Sequence, residues 1–271
     1  MMSTEFGLDQ DYLVSQQTIE QFQREGWAPL PGLISGQLAD QIRTRLFASD
    51  GEVAPTKTEK WMTADDYKRV LRMHDGMAWK DEWFKELALS PRLSSLALKL
   101  IGQDEGLFIH DMSFIKTGDE GEPTPFHQDF PHWPFDRTGA FTIWIALTDM
   151  SQDMGTLRFL PGSPAEGPLG RYSRSIGDDM CKAHPELLRK YALAGGKPLR
   201  AGDATVHVDL MVHGAGGNQT GRERAAYTVR YMPKDVLYTG APHRHFDKFG
   251  LAAGERIADS PLVPHIGRSV A

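Results

Sequence analysis

The chain has 271 residues, 40% of them hydrophobic and 24% charged, which is ordinary for a folded globular protein and argues against global disorder. A formal net charge of −6 with no basic stripe argues against a nucleic-acid partner, and no apolar run of about 18 residues marks a membrane span. One cysteine allows neither an internal disulfide nor a thiolate zinc site, and the opening MMSTEFGLDQDY lacks the basic and apolar regions of a signal peptide, so a cytoplasmic location is expected.

The first third reads as helical. Ser15 is placed to cap a helix over QQTIEQFQREG, with Gly26 as its stop. WAPLPGL is a short extended piece. Ser35 then opens a second helix, in which Leu38, Ile42 and Leu46 recur every four residues. A third helix falls in KDEWFKELAL. A fourth has Ser90 as cap, Pro91 in its first turn and Gly102 at its end. After that the period changes. GLFIHDMSFIK, AFTIWIAL, ATVHVDLMVH and AAYTVRYM are short, rich in β-branched and aromatic residues, and set apart by Gly, Pro and Asp. No helix regularly separates them, which argues against a doubly wound parallel sheet. One helix is expected near HPELLRKYALAG, and residues 163–179 read as a long loop. The expected fold is mainly β with flanking α-helices: a jelly-roll or cupin-like core behind N-terminal helical padding. A single domain is expected over 1–271, with a helical part about 1–102, a core about 103–235 and a C-terminal extension 236–271.

The chemistry concentrates in Pro125-Phe126-His127-Gln128-Asp129-Phe130. In an extended segment, residues two apart point the same way, so His127 and Asp129 can share one ion. A distant histidine would complete a set of two His and one carboxylate, leaving three positions on iron open for a bidentate cosubstrate and dioxygen. His213 is the best of the ten histidines for this. It ends the run from Val206, before Gly214, and Arg224 follows eleven residues later. If the two strands are neighbours, the Arg224 guanidinium enters the same cavity and its fork suits a carboxylate.

Other groups read differently. Phe130, His132, Trp133 and Arg137 either line a substrate entrance or pack under a loop. His110 and Asp111 read as polar core groups rather than a second metal site. His243-Arg244-His245 reads as a solvated basic loop, and nothing marks Cys181 as a nucleophile. Gly214, Gly216, Gly217 and Gly221 do not have phosphate-loop spacing. In the 163–179 loop, Arg171 and Arg174 are candidates to meet an acidic or carbonyl group on the substrate.

The blocks FQREGWAPLPGLISGQLADQIR, TPFHQDFPHWPF, WIALTDMSQDMGTLRFLPGSP, GDATVHVDLMVHGAGGN and RAAYTVRYMP resemble the phytanoyl-CoA dioxygenase family of Fe(II)/2-oxoglutarate oxygenases. The resemblance covers most of the chain. It implies a double-stranded β-helix fold, Fe(II), 2-oxoglutarate and O2 as cofactor and cosubstrates, and a small-molecule substrate released with succinate and CO2. It implies iron ligation by His127, Asp129 and His213, and pairing of Arg224 with the distal carboxylate of 2-oxoglutarate. It also implies a place for Trp144 in the same pocket, where strand alternation makes Thr142 and Ala146 companions of Trp144. Where some members have a cosubstrate-binding serine, this chain has Ala215. Hydroxylation is the expected outcome, with desaturation, epimerisation and cyclisation sharing its chemistry. Arg224 argues against a cosubstrate-independent cupin-type metalloenzyme. The metal set argues against a non-catalytic binding module.

Overall fold

A computed structural model of the chain describes residues 6–49, 71–116, 118, 123–172 and 178–267. The N-terminal helices follow their sequence signals. α1 (Gln16–Glu25) begins where the Ser15 side chain accepts the Thr18 N–H. It ends at Gly26, whose φ of 79° is a left-handed stop. α2 (Gly36–Ala48) is capped in the same way by Ser35, which accepts from Leu38. α3 (Glu82–Ala88) is capped by Asp81. α4 (Pro91–Ile101) has Ser90 at its N-cap, Pro91 in its first turn and Gly102 at its C-cap as expected, but the Ser90 hydroxyl makes no capping bond and is buried with no partner among the described residues. Pro91 has no N–H to satisfy, and the next donor, the Arg92 N–H, bonds the Leu8 carbonyl at 2.9 Å instead. The helix expected near residue 187 is two short pieces, α5 (Met180–Ala183) and α6 (Leu187–Lys190). No helix among the described residues is long and apolar enough to cross a membrane.

Among the described residues the strands are β1 (Trp27–Leu30), β2 (Leu71–Arg72), β3 (Glu105–Lys116), β4 (Thr124–His127), β5 (Phe141–Ala146), β6 (Leu157–Phe159), β7 (Ala194–Gly195), β8 (Ala204–Val208), β9 (His213–Ala215), β10 (Arg224–Pro233) and β11 (His265–Gly267). The larger sheet runs β1-β8-β5-β10-β3-β11, with β2 also on β3; the smaller runs β4-β9-β6-β7. Every pairing is antiparallel. The sheets face each other: Trp27 of β1 stacks on Phe159 of β6 at 4.8 Å, and His207 of β8 lies 4.2 Å from His213 of β9.

The central strands are buried on both faces, and the two faces have different chemistry. On the outer face Ile143, Ile145, Val206, Tyr227, Val229 and Tyr231 pack with Leu38, Ile42, Leu46, Phe84 and Leu93 of the helices. Each such fully buried aliphatic side chain contributes about 1.5–3 kcal/mol. The inner face carries Thr142, Trp144, Thr205, His207, Arg224, Thr228 and Arg230, all buried. The outer layer therefore holds the fold, and the inner layer is left for polar groups turned toward the smaller sheet.

Candidate metal and cosubstrate site

His127 is the last residue of β4 and His213 the first of β9, and the two are direct partners in the antiparallel ladder. Their rings lie 4.3 Å apart. Each Nδ1–H donates to a backbone carbonyl, His127 to Pro125 at 2.8 Å and His213 to Met211 at 2.9 Å. That assignment leaves both Nε2 lone pairs for an ion. Asp129 does not reach the site by strand alternation, because β4 ends at His127. Asp129 has helical backbone angles (φ −76°, ψ −38°) at the start of a tight turn, and the turn brings its carboxylate back. Its Oδ1 is 3.7 Å from His127 Nε2. The ligand atoms of His127, Asp129 and His213 all lie within 4.8 Å of one another, and all three residues are buried. This donor set, two neutral imidazoles and a carboxylate on one side, fits a divalent iron with open positions.

Arg224 opens β10, but β9 belongs to the other sheet, so the expected neighbouring-strand route is not how it reaches the cleft. It crosses between the sheets. Its Nη2 donates to the Gly155 carbonyl at 2.6 Å, just before β6, and its guanidinium lies 4.9 Å from the centre of the Trp144 ring. Arg224 is 1% exposed, its Nε has no partner, and burial pushes its pKa down to about 9. A desolvated guanidinium with an unused N–H is a fitting receptor for a carboxylate. Lys116, opposite Arg224 in the β3–β10 ladder, is also buried and donates to the Gly216 carbonyl at 2.8 Å. Gly155 has φ 73°, and a Cβ there would sit 2.2 Å from the Gly216 carbonyl oxygen, so the loop that receives Arg224 needs glycine. Ala215 pairs with Leu157 of β6 and offers no hydroxyl. Ala146 packs with Trp144, Met150, Met154 and Ala226.

One row of buried polar side chains crosses the inner face. His207 pairs with Thr142, Thr142 with Arg230, and Arg230 with His110. Thr142 Oγ1 is 3.3 Å from Asp129 Oδ2, and His207 Nε2 is 3.8 Å from the same oxygen. The row continues beyond the sheet. Arg230 Nη1 donates to His110 Nδ1 at 3.1 Å, and His110 Nε2 hydrogen-bonds Asp75. Asp75 also meets His245 at 3.0 Å and Arg244 at 2.5 Å. The 243–245 segment is thus only partly solvated: Arg244 is exposed but paired with Asp75, and His243 and His245 are half-buried, while His110 is a buried polar group as expected. Ligand atoms of Asp75, His110 and His245 also fall within 4.8 Å of one another. However, the guanidinium N–H facing His110 Nδ1 puts the ring hydrogen on Nε2, toward Asp75, where a metal would need a lone pair. The cluster is a hydrogen-bonded charge network. Burial pushes His110 down to about 3, against the pull of Asp75. Burial would raise Asp75, yet bonds from His110 and His245 hold it well below the carboxylate range. Asp111 is a polar core group as expected, fully buried beneath Tyr227.

The remaining sequence candidates scatter. Phe130 and Trp133 are half-buried against the aromatic cluster of Phe135, Tyr238 and Phe246. Arg137 is exposed and pairs with Asp136 and Asp235. Arg171 is exposed, 3.3 Å from His132 Nδ1, and Arg174 lies outside the described residues. Cys181 is buried, and burial lifts its thiol to about 12, which makes it inert. Sequence reasoning missed Gln128. Its amide donates to the carbonyls of Gly167 (2.9 Å) and Leu210 (2.8 Å) and accepts from Leu169 (2.9 Å), tying the start of the long loop to the metal-site turn. It missed His207 and Asp75 as well; their signal is a pairing register that no short motif contains.

The phytanoyl-CoA dioxygenase family profile matches residues 22–226. L-Proline trans-4-hydroxylase of Streptomyces griseoviridis is 25% identical over 228 residues, covering 77% of this chain and 82% of that one. Ectoine dioxygenase of Stutzerimonas stutzeri is 27% identical over 186 residues, covering 65% of this chain and 58% of that protein. Among solved structures, the non-haem α-ketoglutarate-dependent carbocyclase SnoK from nogalamycin biosynthesis superposes with a TM-score of 0.76 at 23% identity, covering 94% of this chain and 97% of that one. EctD of S. alaskensis, with 2-oxoglutarate and 5-hydroxyectoine, gives 0.65 at 19% identity, covering 82% and 77%. On its sheets, its donor set and this match, the chain belongs to the phytanoyl-CoA dioxygenase family and is a non-haem Fe(II)- and 2-oxoglutarate-dependent oxygenase of a small organic substrate.

Proposed function

We propose that the chain hydroxylates a C–H bond of a small polar metabolite in the cytoplasm, with release of succinate and CO2. His127, Asp129 and His213 would hold Fe(II), and Arg224 the distal carboxylate of 2-oxoglutarate against Trp144. When bound, the iron and its cosubstrate supply the activation of dioxygen needed to attack a C–H bond. The protein supplies the rest. The two backbone carbonyls fix the imidazole tautomers, Arg224 orients the cosubstrate, and Trp144, Met150 and Met154 exclude water around it. The observation that carries the reading is Arg224: a fully buried guanidinium whose Nε–H has no partner among the described residues, stacked on Trp144, on the same buried sheet face as the Thr142 hydroxyl that meets Asp129.

A polar substrate is supported by the row His207, Thr142, Arg230 and His110, which continues away from Arg224 past the metal site. It is also supported by the names of two relatives, which act on proline and ectoine. A cytoplasmic setting accords with ferrous iron and one buried thiol. The test is a screen of succinate formation with Fe(II) and 2-oxoglutarate across cyclic amino acids, other zwitterions, neutral polyketides and fatty acyl-CoA thioesters. The expected result is a zwitterionic or anionic small molecule that raises succinate above the uncoupled background and gains one oxygen atom. Turnover of acyl-CoA alone, or a product two hydrogens lighter, would overturn it.

A further inference from the structure

We propose that His207 is a positioning residue: with Thr142 it holds the outer oxygen of Asp129, so that the other oxygen faces the metal. The proposal rests on the metal assignment above and adds a residue to it. His207 is 2% exposed, yet among the described residues neither ring nitrogen has a hydrogen-bond partner. A buried imidazole in that condition is unfavourable unless the working state of the site returns a partner.

The surroundings say which partner. Asp129 divides its two oxygens: Oδ1 faces His127 Nε2 at 3.7 Å, while Oδ2 faces Thr142 Oγ1 at 3.3 Å and His207 Nε2 at 3.8 Å. Thr142 and His207 are direct partners in the β5–β8 ladder, so they present a hydroxyl and an imidazole side by side to one carboxylate oxygen. Closing the 3.8 Å gap to an ordinary hydrogen bond takes about 1 Å of movement. The bond requires the hydrogen on Nε2, which makes Nδ1 an acceptor. Trp27 is the ladder partner of His207 on its other side, and its buried Nε1–H also lacks an acceptor. Outer oxygens of metal-binding carboxylates are commonly held in this way, and loss of the holder weakens metal binding about 10–100-fold.

The test is Mn(II) titration of metal-free protein, followed by electron paramagnetic resonance, with circular dichroism as the check on folding. His207→Phe should weaken Mn(II) about 10–100-fold. His207→Gln, whose amide N–H reaches the place of Nε2, should restore it to within about 3-fold. The affinity for 2-oxoglutarate at saturating metal should stay within about 3-fold in both variants. A folded His207→Phe with wild-type Mn(II) affinity overturns the proposal. Should that variant not fold, 15N shifts of Zn(II)-loaded wild-type protein decide. A hydrogen on His207 Nε2 supports the clamp; a hydrogen on Nδ1 only, or Nε2 bound to the metal as a fourth ligand, overturns it. No Mn(II) binding by the wild-type protein overturns the metal assignment and the clamp together, whereas equal affinities overturn the clamp alone.

Discussion

Arg224 and Asp111 are both fully buried charges, and they are stabilised by opposite means. Among the described residues the Arg224 side chain makes one hydrogen bond, to a neutral carbonyl, and has no anion in reach, so burial lowers its pKa. On the proposed function, bound 2-oxoglutarate would supply the anion. Arg224→Ala should therefore weaken 2-oxoglutarate by roughly 2–4 kcal/mol. Titration of the Mn(II)-loaded protein should show that loss with metal affinity little changed; unchanged cosubstrate affinity would move the carboxylate site elsewhere. Asp111 instead accepts from the Tyr227 hydroxyl at 2.6 Å and from the Ala78 N–H at 3.1 Å. Burial still raises it from the ordinary carboxylate range to about 6, against those bonds. The folded state thus prefers the protonated acid. That stabilisation is complete below about pH 4 and is lost as pH rises through 6, on the order of 3 kcal/mol at about 1.4 kcal/mol per pKa unit. Asp111→Asn removes the titration. Urea unfolding between pH 4.5 and 7.5 should show a stability profile for the variant that falls less, or rises more, than wild type; parallel profiles would contradict the assignment.

Short elements place the site, and they differ in how far their sequences reveal it. The caps at Ser15 and Ser35 and the stop at Gly26 are local, and each is present as the spacing predicts. FTIWIA reads as a strand, but both its faces are buried, so apolar alternation does not tell the helix-facing side from the metal-facing side. His127 and Asp129 are legible because the motif is short. The contact of His213 with His127, by contrast, is a register between segments 86 positions apart. His207 and Asp75 depend on such registers entirely, so they are invisible until the sheets are assembled. Gln128 shows how a residue inside a legible motif can still hide its role. It makes three hydrogen bonds between the metal-site turn, the Leu210 carbonyl and the start of the 163–179 loop. Buried bonds of this kind are worth about 0.5–1.5 kcal/mol each, more when a partner is left stranded. Gln128→Ala should speed limited proteolysis between Gly167 and Arg171 several-fold while sparing α1 and α2. Equal cleavage rates in variant and wild type would mean that the loop is held by other contacts.

At the scale of the whole molecule, the residues proposed to carry the reaction are divided between two sheets. The smaller sheet, on strands of two to four residues, carries His127 and His213, while the larger carries Arg224, Thr142 and Trp144 under a helical cover. The larger sheet gains from the extensive helix-packed core on its outer face, whereas the smaller has only a small layer, Met180 and Cys181 of α5 and Leu187 of α6 packed with Phe126 of β4. An ion on β4 and β9, shared with a 2-oxoglutarate that reaches Arg224, would therefore join the less supported sheet to the better supported one. Ligands that bind only the folded state stabilise it by about 2.7 kcal/mol at one hundred times their Kd. For a chain of this size that corresponds to roughly 5–10 °C in Tm. Mn(II) and 2-oxoglutarate together should raise Tm by more than the sum of their separate effects, because each completes the other's site. Hydrogen exchange should locate the gain in β4, β9 and the segment around Gly155, with little change in β3 and β10. Additive Tm shifts, or protection spread evenly over the larger sheet, would show that the two sheets are already coupled without the ligands.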